Sequence, residues 1–351
     1  REPDRPAEDD PFELLRLELI QAVAAVNLLV SKWVEPGGSH GLHLSTLLHQ
    51  TLAYICERGG ARAREMFELI CGPGPFAQVS DHDYAALLRA MNEAKLIEQS
   101  PDGILMLGQV GEAIANRFDF YAVFMTDDEY RIVTDQRTLG TVPVFNPLRE
   151  GDFLTFAGRR WIVLSIDDRA KVVMVRAAPA GRVPQFPAQE SVPLHDKLVH
   201  EMRAVYESGE NYPFLDLVGK TLLQEARDAY RQLDLHSRQL LNVGDAIYLF
   251  VSRGTKATET LRLALASQDI RTEAYSIGLH AKYCELDKFK SALDSIFQHP
   301  PTAHAIAAFA EPLRRQKYDA HLPDEMLRDA FARTRVDENI LKAQNLLPQP
   351  I

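Results

Sequence analysis

The stretch DHDYAALLRAMNEAKLIEQSPDGILMLG at residues 81–108 decides the fold of the first third of the chain. Its first half repeats apolar residues at helical spacing, which places Tyr84, Leu87, Leu88 and Met91 on one face. Ser80 precedes Asp83 by three residues, a spacing that resembles a capping box with Asp in the Glu position. The second half has two short apolar runs around a Pro-Asp-Gly turn and predicts a β-hairpin.

Further helices are predicted ahead of this stretch. Apolar residues repeat at three and four from Phe12 to Val30, and WVEPGG at 33–38 ends that helix with proline and glycine. Two more helical segments follow at 43–58 and 62–71, separated by a Gly-Gly pair. Helices followed by a hairpin have the order of a winged helix, which we expect over residues 12–118. Winged helices bind nucleic acid, but they also serve as protein-interaction modules.

The next block, residues 119–190, alternates polar and apolar residues as β-strands do. Its strand-like runs are YAVFMT (121–126), YRIVT (130–134), LGTVPV (139–144), FLTFAG (153–158), RWIVLSID (160–167) and KVVMVRAA (171–178). Short turns separate these runs at regular intervals, which is typical of a small β-barrel. RVPQFP (182–187) is expected to leave the barrel as a proline-rich exit.

The remainder, residues 191–351, is predicted to hold a helical arm, an α/β unit and C-terminal helices. The arm covers 194–235 and is interrupted by SGENYPF at 208–214. DAIYLFVSRG (245–254) reads as a buried strand, and TKATETLRLALASQ after it as a helix. With an acid- and proline-rich linker at 1–11, the expected fold class is α+β multidomain: an N-terminal winged helix, a small β-barrel, then a helical and α/β C-terminal unit.

Composition narrows the classes of function. The 351 residues include 39 Lys and Arg against 49 Asp and Glu, a formal net charge of −10. That balance argues against a globally basic nucleic-acid binder but permits a local basic groove. No apolar run approaches the roughly 18–20 residues that span a bilayer, so no membrane partner is expected. Cys56, Cys71 and Cys284 form no CxxC pair, which favours buried thiols in a reducing, cytoplasmic setting and no metal.

The sequence contains no motif for catalysis. GxSxG, HExxH and CxxC are missing. GKT at 219–221 lacks the glycine that a phosphate-binding loop requires, because Phe214 occupies that position. The tripeptide also lies within a helical pattern instead of after a strand. We therefore assign no catalytic residue and expect no ATP hydrolysis from this chain alone.

Five segments, in order, resemble one family. They are LRLELIQAVAAVNLLVSKWVEP (15–36), LGTVPVFNPLREGDFLTFAGRRWIVLSID (139–167), VMVRAAPAGRVPQF (173–186), DAIYLFVSRGTKATETLRLALAS (245–267) and KYDAHLPDEML (317–327). Together they resemble the region after the two RecA-like motor domains of large helicase-related (Lhr-type) superfamily 2 helicases. The resemblance spans the chain from about Leu14 to Leu347 and rests on order and spacing, since each motif alone is weak.

The resemblance implies a function and its partners. The family consists of ATP-dependent DNA helicases that translocate along single-stranded DNA and act in DNA repair. Their winged helix and barrel-containing domain close a channel around the tracked strand. This sequence departs from the family in lacking the motor, so ATP and Mg are expected only in RecA-like motor domains present in cis or in trans. The chain itself is expected to carry no cofactor, and its preference for DNA or RNA stays open.

Candidate contacts follow from what a strand-guiding channel needs: cations for phosphates, and flat groups for unstacked bases. Arg62 and Arg64 begin a helix, Arg89 and Lys95 belong to the helix expected to face nucleic acid, and SRGTK (252–256) forms a strand-to-helix turn whose amides suit phosphate. The full set is Trp33, Arg62, Arg64, Arg89, Lys95, Arg159, Arg160, Arg253, Thr255 and Lys256.

Each candidate has a structural alternative. The basic helix residues fit solvated surfaces equally well, and the turn at 252–256 fits an exposed charged turn. Trp33 fits packing at a domain junction. Trp161 is expected in the barrel core, which leaves Arg159 or Arg160 to project because neighbouring strand residues alternate faces. The alternative for the whole chain is a protein-interaction scaffold, or a subunit of a larger complex, without direct nucleic-acid contact.

Overall fold

A computed structural model describes residues 11–37, 41–72, 74–123, 129–135, 137–143, 150–151, 153–156, 159–167, 170–178, 193–311 and 313–342. Within these ranges the fold is mixed α+β, with thirteen α-helices and three small sheets. The chain forms two compact units: residues up to 117 together with those from 193 onward, and residues 118–192. None of the described helices combines the length and apolarity that crossing a membrane requires.

The first unit begins with helices that pack on its later arm. Helix α1 (Pro11–Leu14) and α2 (Leu17–Val30) lie against α7 (Asp196–Glu207) and α8 (Leu217–Gln232). Ile20, Val23, Ala24 and Leu28 form the buried face of α2. The helix at Pro11 ends the expected linker at residue 10, and residues 1–10 lie outside the described part of the chain.

Three helices and a hairpin follow in the predicted order. They are α3 (Leu44–Arg58), α4 (Ala63–Ile70), α5 (Asp81–Glu93) and strands β1 (Ile97–Gln99) and β2 (Leu105–Leu107), with α6 (Gln109–Ala115) behind them. The Ser80 hydroxyl caps α5 by accepting the Asp83 N–H at 3.1 Å, as the spacing predicted. Ala61, between α3 and α4, pairs with Leu105 as a third, single-residue strand.

Strands of the second unit form one five-stranded sheet. They are β3 (Glu129–Val133), β4 (Thr138–Pro143), β5 (Phe153–Phe156), β6 (Arg159–Asp167) and β7 (Val172–Ala177), in the order β4-β3-β7-β6-β5. All neighbours are antiparallel except β3 and β7, which are parallel.

This sheet corrects the expectation of a small barrel. Among the described residues β4 and β5 are its edges and do not pair with each other. Closure depends on strand tilt and stagger, and the strand count and turn spacing read from sequence do not fix either. Tyr121, the first residue of the expected first strand, instead ends a short 3₁₀ helix (Phe118–Tyr121). Residues 124–126 of that strand and the expected exit at 182–187 lie outside the described residues.

The first unit also holds a four-stranded antiparallel sheet covered on both faces. Its strands are β8 (Leu240–Val243), β9 (Ala246–Phe250), β10 (Glu273–Tyr275) and β11 (Gly278–Lys282), in the order β10-β11-β9-β8. Ile247 and Leu249 face α9 (Thr255–Ala266), α10 (Leu286–Gln298), α11 (Ala303–Ala307), α12 (Asp324–Arg335) and α13 (Glu338–Lys342). Tyr248 and Phe250 face α1, α2, α7 and α8. Strand β8 lies before the strand predicted at 245–254 and was not predicted from the sequence.

Candidate nucleic-acid interface

The five-stranded sheet has two faces of different chemistry. One face is buried and carries Ile132, Trp161, Val163, Val173 and Val175. Trp161 is only 7% exposed, which confirms its predicted place in the core of this unit. Because strand residues alternate, burying this set turns their sequence neighbours to the opposite face.

Three arginines from three neighbouring strands share that opposite face. Arg131 of β3 pairs with Val172 of β7, and Arg176 lies four residues further along β7. Arg176 pairs with Ile162 of β6, and Arg160 lies two residues before Ile162. We call Arg131, Arg160 and Arg176 the arginine face. Arg131 and Arg176 are exposed and Arg160 is half-buried.

The register sets the spacing of these cations. Arg160 and Arg176 are diagonal neighbours on adjacent strands, a relation with Cα atoms about 7–8 Å apart. Arg131 lies about 13 Å along the sheet from Arg176, at about 3.3 Å per residue. Met174, 40% exposed, lies between them on β7. Guanidinium groups separated by aliphatic side chains can contact phosphates and also offer planes on which bases stack.

Acidic charge on this face lies at one end. Asp167 ends β6 opposite Val172 and lies on this face because the register of β6 shifts between Val163 and Ser165. Strand β7 separates Asp167 from Arg131, and Asp167 Oδ1 accepts the Ala170 N–H at 2.9 Å. At the other end, the described strand residues on the face near Arg160 and Arg176 include no carboxylate. Arg160 and Arg176 therefore lie at the end of the face remote from Asp167, where β6 begins and β7 ends.

The two predicted barrel contacts are separated by strand alternation. Arg160 joins the arginine face, while Arg159 is exposed at the start of β6 on the same side as Trp161. Arg131 and Arg176 are not among the contacts predicted from the sequence. Strand alternation is the sequence signal that could have identified them. Arg131 is next to the buried Ile132, and Arg176 is next to the buried Val175, so both side chains lie on the opposite face of the sheet.

Predicted contacts in the helix-and-hairpin region do not converge. Arg62 donates from Nη1 to the Asp102 carbonyl oxygen at 3.2 Å, at the hairpin turn. Arg64 pairs with Glu68 of its own helix at 2.8 Å. Arg89 and Lys95 are exposed near the C-terminal end of α5, at the opposite end of the hairpin from Arg62. Arg62 thus lies at the turn of the hairpin, whereas Arg89 and Lys95 lie at its other end, so the cations form two separate groups.

The turn at 252–256 already holds an anion from its own chain. The Asp196 carboxylate accepts the Gly254 N–H at 2.6 Å through Oδ1 and Arg253 Nε at 2.7 Å through Oδ2. Arg253 Nη2 also donates to Asp337 at 3.1 Å. A side chain at Gly254 would meet the Leu194 carbonyl oxygen at 2.4 Å, so glycine permits this close approach.

Thr255 and Lys256, the last two residues of that turn, have different environments. Thr255 Oγ1 accepts the Leu194 N–H at 2.8 Å, whereas Lys256 is exposed. Burial lowers the pKa of His200, which faces Asp196 and Arg253, so this imidazole is neutral at pH 7 and adds no cation. Nothing in the local sequence signals Asp196, because it lies 58 residues before Gly254.

Trp33 packs at a junction between two helices. Its half-buried ring lies 5.3 Å from the His195 ring, where α2 ends and α7 begins. His195 caps α7 by accepting the Lys197 N–H at Nδ1. This contact matches the packing alternative for Trp33 more closely than a stacking platform for bases.

No family model, curated protein or solved structure matches this chain. The Lhr-type resemblance therefore stays a prediction, and the chemistry of the arginine face carries the functional argument. Within the described part of the chain, no group of three or more His, Cys, Asp or Glu side chains is arranged to hold a metal ion.

Proposed function

We propose that this chain binds single-stranded nucleic acid as the accessory region of an Lhr-type ATP-dependent DNA helicase. In this proposal it guides the tracked strand, while RecA-like motor domains in cis or in trans bind ATP and Mg and hydrolyse ATP. The observation that carries the proposal is the arginine face. Three neighbouring strands there carry arginines on the side opposite Trp161, two of them exposed and Arg160 half-buried.

The physical reason is local charge density. Protein contacts with phosphates release counterions, and for single strands the logarithm of the binding constant falls by about 0.7 per contact for each tenfold rise in salt. Three arginine contacts therefore predict a salt slope of about −2. Such a slope is compatible with an acidic chain, because charges more than about 10 Å away are largely screened at 0.1 M salt.

The first unit supports the same proposal less directly. The order of α3, Ala61, α4, α5, β1 and β2 is that of a winged helix, whose third helix commonly contacts nucleic acid. Arg89 and Lys95 are exposed at the end of that helix. We treat them as secondary contacts, because Glu93 is exposed between them.

Fluorescence anisotropy with a labelled oligothymidine tests the proposal. We expect salt-sensitive binding, weakened by Arg160→Ala and by Arg176→Ala, with the salt slope reduced by about 0.7 in each variant. Arg159→Ala is the matched control, since it removes the same charge from the adjacent residue on the other face. Absence of binding at low salt would refute the proposal, as would equal effects of Arg159→Ala and Arg160→Ala.

A protein-interaction scaffold without nucleic-acid contact is the second candidate. The specific observation in its favour is an exposed apolar face on helix α2, where Leu29 is 70% and Val30 75% exposed. If oligothymidine does not bind, this candidate becomes the leading one.

A further inference from the structure

Helix α2 is apolar on two opposite sides. Its inner side is the buried face formed by Ile20, Val23, Ala24 and Leu28. Its outer side carries Ala22, Ala25 and Leu29, all exposed, with Val30 beside them. A helix that is apolar all round is normally buried on all sides. The described residues of this chain do not cover the outer side of α2. An exposed apolar helix face of this kind is typical of a site that packs against another protein surface.

The outer side follows the spacing of a helix–helix seam. Glu18, Ala22, Ala25 and Leu29 succeed one another at four, three and four residues. Lys32 lies two residues past the helix end at Val30, where its backbone is left-handed (φ 60°), and extends this row beyond the helix. This three-four alternation keeps residues on one stripe of a helix and underlies packing of helix pairs. We call these five residues the α2 stripe.

The α2 stripe is complementary to itself when reversed. Its midpoint is Ala25, with an acidic residue at one end and a basic residue at the other. If a second stripe runs antiparallel, Glu18 faces Lys32 of the other copy, and Ala22 faces Leu29. Opposite charges then face each other at both ends, and a small side chain faces a large one between each end and the centre. The small Ala25 at the centre lets the two helix axes approach to about 8 Å.

We propose that the α2 stripe is a dimer interface for a second copy of this chain, with two antiparallel α2 helices related by a two-fold axis at Ala25. Such an interface is isologous, so each contact occurs twice. A parallel arrangement would place Glu18 against Glu18 and Lys32 against Lys32, which is repulsive. The proposal is independent of nucleic-acid binding, because the arginine face belongs to the other unit.

Sedimentation equilibrium of the full chain provides the first test. Between about 1 and about 100 μM, the range in which transient interfaces assemble, we expect the mass to rise toward twice that of one chain. Ala25→Glu places two carboxylates against each other at the axis and should leave the protein monomeric. Ala113→Glu, the same change at an exposed alanine of α6, is the control and should dimerise like the wild type.

Charge reversal tests the antiparallel geometry. Glu18→Lys alone and Lys32→Glu alone each create two like-charge pairs across the axis, and each should weaken the dimer on the order of tenfold. An equimolar mixture of the two variants restores both attractive pairs and should form a heterodimer of near wild-type affinity. The double variant in one chain should recover in the same way.

Three outcomes would overturn the proposal. One is a wild type that stays monomeric over the whole concentration range, which would leave the stripe to a different protein. Another is a dimer that Ala25→Glu and Ala113→Glu affect equally. The third is a mixture of the two charge variants that dimerises no better than either alone. Circular dichroism of each variant, unchanged from wild type, establishes that these exposed substitutions act on association instead of on folding.

Discussion

Replacing Asp196 by alanine should destabilise the first unit, because this one carboxylate joins the start of α7 to the start of α9. It accepts the Gly254 N–H at 2.6 Å and Arg253 Nε at 2.7 Å. Both bonds link segments that are far apart in sequence. Their loss would release the turn at 252–256 and leave two donors without this partner.

The magnitude follows from the burial of each donor. Gly254 is buried, and a backbone N–H deprived of its acceptor costs about 1–3 kcal/mol. The ion pair contributes less, about 0.5–1 kcal/mol, since Arg253 and Asp196 side chains are 30% and 38% exposed and water screens them. Arg253 also keeps its bond to Asp337. The expected loss in unfolding free energy is therefore about 1.5–4 kcal/mol.

Urea unfolding followed by tryptophan fluorescence measures this loss of unfolding free energy in the first unit, because a tryptophan lies close to Asp196. The chain has two tryptophans, and Trp33 lies in the first unit, 5.3 Å from the ring of His195, the residue before Asp196. A Trp161→Phe background leaves Trp33 as the single reporter. The difference in midpoint multiplied by the slope gives the change in free energy.

Asp196→Asn separates the two contributions. The amide keeps an oxygen for the Gly254 N–H but loses the charge that attracts Arg253, so its loss should stay below about 1 kcal/mol. The reasoning would be refuted if alanine cost less than about 0.5 kcal/mol, or if asparagine and alanine were equally destabilising.

Further predictions concern pH, thiol reactivity and the second unit. Hydrogen bonds from Arg333 hold the pKa of Asp83 below its ordinary 3.8, so its contribution is present above that value and is lost as the pH falls through the lowered pKa; Asp83→Asn should flatten the decline in urea midpoint below about pH 4. Burial raises the pKa of the Cys71 thiol to about 11, so Cys71→Ser should leave the rate of thiol labelling in native buffer at about pH 8 unchanged, and labelling of Cys71 should require urea. Trp161→Ala should cost about 3–5 kcal/mol in the second unit and lower oligothymidine affinity as well, measured by thermal melting and by anisotropy, because the buried face supports the strands that carry the arginines.

Local features were predictable from the sequence because their signals are local. The helical period from Phe12 to Val30, the Ser80 cap and the hairpin at 97–107 depend on residues within one turn or one strand pair. The burial of Trp161 follows from strand alternation alone. The Ser80 cap and the hairpin appear in the structure within a few residues of their predicted bounds. The single helix predicted from Phe12 to Val30 is instead divided into α1 and α2, because Arg16 between them has a left-handed backbone (φ 49°).

Long-range pairing was not predictable in the same way. The arginine face exists because β7 pairs in parallel with β3, with Val172 opposite Arg131, 41 residues earlier, and because β7 also pairs with β6, which brings Arg176 close to Arg160. Alternation indicates which residues share a face of one strand but not which strands are neighbours. The open edge of the sheet and the Asp196 contact to Gly254 have the same origin, since each joins segments without a local signature.

Net charge is a poor guide to the charge of any one surface for a related reason. In the first unit several arginines are matched by carboxylates: Arg16 pairs with Glu225, Arg64 with Glu68, and Arg333 with Asp83 and Asp329. Within each such pair the opposite charges largely cancel. The paired carboxylate therefore adds little negative potential at other surfaces of the protein. Over distances beyond about 10 Å salt screens what remains, so only the charges near a given surface determine its attraction for an ion. On the arginine face the register, not the composition, places cations side by side, and this is how an acidic chain can attract a polyanion at one surface.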